Sequence, residues 1–112
     1  MIERNMNYIE RFSATELAQV INESLVFMCA CPAQVASGIL KLRELYDYQL
    51  TCQSEVGNQR QVHQAIAQST AMAHAELEAC MAQVLLLEGW DLATLTMPPA
   101  LRARQLKELL AD

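Results

Sequence analysis

Three glycines and three prolines in 112 residues leave few places where the backbone can turn sharply or lie against a ligand. There is no glycine-rich phosphate loop and no Gly-x-Ser-x-Gly elbow, so the usual sequence signs of nucleotide binding and serine-hydrolase chemistry are missing. Aromatic residues make up only 5% of the chain. Packing must therefore come from leucine, alanine, valine, isoleucine and methionine, a composition that favours helices over sheets. No Lys or Arg occurs between Gln61 and Leu101. With a net charge of −5, and with Arg4, Arg11, Lys41, Arg43 and Arg60 scattered, nothing forms the basic stripe that neutralises nucleic-acid phosphates. Long hydrophobic runs are also absent: the longest, Leu25 to Ala30, is far too short to span a bilayer. The first residues carry acidic groups and no apolar core of a signal peptide. A cytoplasmic location is expected, in which the four cysteines are reduced thiols rather than disulfides.

What is present is helical patterning. Asn58 to Glu88 contains neither proline nor glycine, and Val62, Ile66, Ala73, Leu77, Cys80, Val84 and Leu87 recur along it at helical spacing. This pattern predicts a continuous helix of about 45 Å with that stripe buried against other helices. Ser13-Ala-Thr-Glu16 is a capping box preceded by Phe12 and followed by Leu17. It predicts a first helix over 14–29 with Leu17, Val20, Ile21, Leu25 and Met28 inward. Pro32 suits the first turn of a second helix, 32–53, with Val35, Ile39, Leu42, Leu45, Tyr46 and Cys52 on or beside one stripe. Within it Gly38 disfavours the helix by about 1 kcal/mol relative to alanine, unless a close neighbour requires the missing side chain. Gly57-Asn58 is the turn to the third helix, and Gly89 ends that helix ahead of Trp90, placed as a cap on the core. Pro98 and Pro99 open a short fourth helix to about Ala111.

The expected fold is all-α: an antiparallel bundle of three longer helices and a short C-terminal one, forming a single domain over residues 1–112 with a loosely held arm at 1–12. The first helix is only half as long as the third. The remainder is covered either by the first and fourth helices end to end or by a second copy, and a homodimer is the expectation.

Two constellations bear on chemistry. Cys29-x-Cys31 flanks a helix start, and an antiparallel hairpin about Val56-Gly57 places Cys31 level with about Met81, close to Cys80. Copper(I) or zinc with an added ligand, or redox chemistry, would use Cys29, Cys31 and Cys80, whereas Cys52 falls at the other end. The competing and preferred reading makes these thiols small buried hydrophobes. His63 and His74 lie three helical turns apart, about 16 Å, and cannot share an ion within one chain. His74 and Glu78 at i, i+4 offer two ligands, but no Glu-x-x-His motif accompanies them. A solvated or hydrogen-bonded histidine is expected, with no cofactor and no catalytic residues. The functional expectation is a non-enzymatic accessory or adaptor protein acting through helical protein–protein contact, with a small thiol-based metal or redox protein as the alternative.

Overall fold

A computed structural model describes residues 8–26, 30–53 and 59–99, together with Lys107 and Leu110. Three helices account for most of it: α1, Ala14–Val26; α2, Ala30–Gln53; and α3, Arg60–Leu87. The expected fourth helix, like Met28 and Cys29, falls outside the described residues apart from Pro99, Lys107 and Leu110, which are helical. Among the described residues no helix is long and apolar enough to cross a membrane.

Local signals set the helix ends. Ser13 Oγ accepts the Glu16 N–H at 3.0 Å while Glu16 Oε1 accepts the Ser13 N–H at 2.8 Å, the reciprocal pairing of a capping box. At the far end of α3, Gly89 takes φ 74°. That left-handed step lets Trp90 N–H reach the Leu85 carbonyl and Gly89 N–H the Leu86 carbonyl, closing the helix as a Schellman motif. The chain then makes a tight loop in which Asp91 Oδ1 accepts from Ala93 and Thr94, and Asp91 bridges back to Thr96.

α2 and α3 pack antiparallel with cross-helix pairs centred within about two residues of the expected Val56-Gly57; the expected Gly57-Asn58 turn itself lies outside the described residues. Gly38 sits against Leu77, Arg43 meets His74, and Gln49 meets His63. α1 packs on α2 and runs in the direction of α3. At this end Leu17, Val20, Ala36, Ile39, Met81 and Leu85 build a dry core closed by Trp90, Leu95 and Met97, so Trp90 caps the core as its position suggested. Toward the other end, residues 8–12 take over from α1. Tyr8 is buried with Tyr46 and Ala67, which is how a half-length α1 leaves that part of the hairpin covered.

The inward stripe of α3 differs from the one its apolar residues suggest. The buried positions are Ala67, Thr70, His74, Glu78, Met81 and Leu85, whereas Val62 is 48% exposed, Ile66 37% and Leu87 77%, and Ala73 and Cys80 are exposed with Leu77 and Val84 half-buried. The helix is rotated by about one residue, or 100°, relative to that expectation. The cause is chemical: Arg43 and the backbone of residues 11–12 supply partners that make His74 and Glu78 better inside than out. The same holds on α1, where Glu23 and Ser24 are buried and Leu25 is exposed, because Glu23 Oε2 accepts the buried Met97 N–H at 2.9 Å. On α2, Leu45 is 40% exposed while Arg43 and Gln49 are buried.

Candidate functional site

Two features stand out against an ordinary small bundle: a buried polar clamp between α2 and α3, and an apolar face left open among the described residues.

The clamp begins with Arg43 on α2. Its side chain is buried, and as a guanidinium it can only donate. Nε donates to His74 Nε2 at 3.0 Å and lies 3.3 Å from Glu10 Oε2. Nη2 donates to Glu78 Oε2 at 3.1 Å and to the Phe12 carbonyl. Because His74 Nε2 must accept, the imidazole is neutral and its proton sits on Nδ1, facing Glu78 Oε1 3.6 Å away. Glu78 Oε2 also accepts the backbone N–H groups of Arg11 at 2.8 Å and Phe12 at 3.0 Å. His74 and Glu78 are 1% and 2% exposed, so an ion pair and an imidazole are held in the interior with partners on nearly every polar atom, the condition under which burial of charge is tolerated. The Tyr8 ring closes the end of the clamp. It stacks on Tyr46 with centroids 4.1 Å apart and planes 5° from parallel, and on His74 at 4.7 Å and 28°.

Arg, His and Glu in contact are also the ingredients of an acid–base site, but here each is spent on the chain itself. The groups that a substrate would need to reach are bonded to the backbone of residues 11–12 and roofed by Tyr8. His74 and Glu78 were legible as an i, i+4 pair. Arg43 was not singled out, and the only signal for it was an arginine lying four residues beyond Ile39 and three before Tyr46, on the inward stripe.

The uncovered face is formed by the other sides of α2 and α3. A shallow groove of about 460 Å³ runs between Leu42, Leu45, Ala65, Ile66, Ser69 and Ala73. Val62 continues it along α3 at the spacing of one helix turn.

The cysteines are placed differently from the preferred expectation. Cys31 and Cys80 are exposed and Cys52 half-buried, none of the three in a disulfide; Cys29 lies outside the described residues. Among the described residues no three His, Cys, Asp or Glu side chains come together in a way that suits a metal ion. His63 is hydrogen-bonded, its Nδ1 2.7 Å from Gln49 Oε1, as expected for a structural histidine. No protein-family model matches the sequence, and neither curated proteins nor solved structures supply a match.

Proposed function

We propose that this chain is a non-enzymatic helical interaction module that works by laying the outer α2/α3 face against another helical surface, in the first instance that of a second copy. The observation that carries the reading is the apolar stripe of Val62, Ile66, Ala73 and Leu45, left on the surface while polar residues occupy the interior. Apolar residues at helical spacing that none of the described residues covers are the pattern of a helix-packing interface. Two helices side by side over the length of α2 offer a face on the order of 700 Å², close to the ~800 Å² per partner of a specific complex.

A two-fold contact sets residues on its axis against their own copies, so charge at the centre would repel. The groove has no charged lining residue, and the nearest charges on α2, Lys41 and Glu44, pair with each other at 3.5 Å. Light scattering across a concentration series tests this. The wild-type chain is expected at twice the monomer mass and Ile66→Glu at the monomer mass with unchanged helicity. A wild-type chain that stays monomeric at hundreds of micromolar would remove the self-pairing reading.

One observation favours the thiol alternative more than the sequence did. Cys31 and Cys80 are open to solvent, where a soft metal or a disulfide partner can reach them. Metal analysis of purified protein, repeated on Cys31→Ser, decides it: stoichiometric copper or zinc lost in the variant would replace the adaptor reading.

A further inference from the structure

Residues 8–12 have no regular helix or strand, yet they are held as a receptor holds a peptide. The charged groups that hold residues 10–12 come from α2 and α3. The Tyr8 ring lies in a slot made by Tyr46, His74 and Ala67. Two residues on, the Glu10 carboxylate meets Arg43. Next, Glu78 accepts two successive backbone N–H groups and Arg43 donates to a backbone carbonyl, contacts that any residue other than proline can make at those positions. Ile9 and Arg11 point outward and are exposed. Side-chain recognition thus rests on an aromatic residue, an acidic residue two positions later and the half-buried Phe12 ring packed against the apolar core, with the backbone of residues 11 and 12 clamped. The clamp's own charged groups are more than nine-tenths buried, so the site is built rather than a chance surface contact.

We propose that this cleft is a binding site for an extended peptide of the pattern aromatic–x–acidic–x–apolar, filled in the resting protein by residues 8–12 and open to a segment of that pattern from another chain when the arm withdraws. The proposal does not depend on the outer α2/α3 face. The arm is tethered at Ser13, and tethering gives it an effective concentration in the millimolar range. It therefore competes strongly with any free peptide, and weakening the arm should expose the site.

The test uses the full chain and a fluorescent peptide with the sequence of residues 6–13. The peptide is expected to bind the Tyr8→Ala protein at least about tenfold more tightly than wild type, since the competitor has lost its anchor. Replacing the peptide's own tyrosine by alanine, or its glutamate by glutamine, should weaken binding to the variant by about fivefold or more. Equal binding to both proteins, or indifference to the peptide's tyrosine, overturns the proposal. Should Tyr8→Ala lose its helicity, the wild-type chain answers instead. A peptide with a photoreactive benzophenone at the tyrosine position, at millimolar concentration, should crosslink to Tyr46 or to residues 67–74 of α3. Labelling confined to other surfaces, or no labelling, overturns it.

Discussion

Around Met81 and Leu85 the helices meet mainly through apolar side chains, with Glu23 at the edge bonded to the Met97 N–H, whereas the preceding inward turns of the same α3 stripe are held by Glu78, His74 and Thr70. The first region is stabilised by removal of apolar surface from water, which is non-directional and tolerant of repacking. The second gains little net free energy from its ion pair, because desolvation opposes attraction, but it fixes which residues face inward and ties residues 10–12 to the hairpin. The dry end makes the bundle stable; the clamped end sets the rotation of α3 and so leaves the apolar stripe outside.

The largest expected effect tests the clamped end. Arg43→Met leaves the Glu78 carboxylate buried without its cation and removes the donors to His74 and Phe12, so urea unfolding should show a loss of about 4 kcal/mol. Adding Glu78→Leu removes the stranded charge, but the N–H groups of Arg11 and Phe12 then lack their acceptor. The double variant should regain only part of the loss, and hydrogen exchange at residues 11 and 12 should be fast while Leu17 and Val20 stay protected. A double variant as stable as wild type would mean the clamp contributes no more than apolar filling would.

Leu85→Ala probes the dry end. The side chain is fully buried, and truncation should cost about 3 kcal/mol through lost transfer energy and the cavity left behind. Protection at residues 11 and 12 should fall only in step with global stability. If instead those amides open first, the two regions are not separable in the way their contacts suggest.

The sequence made α1, α2 and α3 legible, together with the start of α1 and the end of α3, which carry explicit signals: the Ser13–Glu16 box and Gly89. The approximate register of α2 against α3 was legible too. What was not legible was the rotation of α3, because an apolar residue's preference for the interior is a property of the residue alone, whereas that of Glu78 or His74 depends on a partner thirty residues away in Arg43 and on the arm. Periodicity scores the first kind of term and is blind to the second. The cysteines were misread for the same reason: Cys80 rides on the stripe that turned outward. In the arm, Tyr8, Ile9 and Phe12 are the side chains suited to docking on the body; Tyr8 and Phe12 dock and Ile9 stays exposed, but the backbone groups of Arg11 and Phe12, which carry no side-chain signature, do much of the docking.

The smallest effect sharpens the comparison at the boundary between the two regions, where Gly38 on α2 faces Leu77. A Cβ there would lie 3.0 Å from Leu77 Cδ2, so the close approach expected of this glycine is real, but the atom it meets is the end of a half-buried, flexible side chain. Alanine in a helix interior gains about 1 kcal/mol over glycine, and a displacement of Leu77 by a few tenths of an ångström takes back part of it. Gly38→Ala should therefore stabilise the protein by about 0.5 kcal/mol. In a Leu77→Ala background the obstruction is gone, and the same substitution should yield the full gain of about 1 kcal/mol. A clear destabilisation by Gly38→Ala that Leu77→Ala relieves would show that Leu77 cannot move, extending the rigidity of the clamped region one turn further into the dry core than its hydrogen bonds reach.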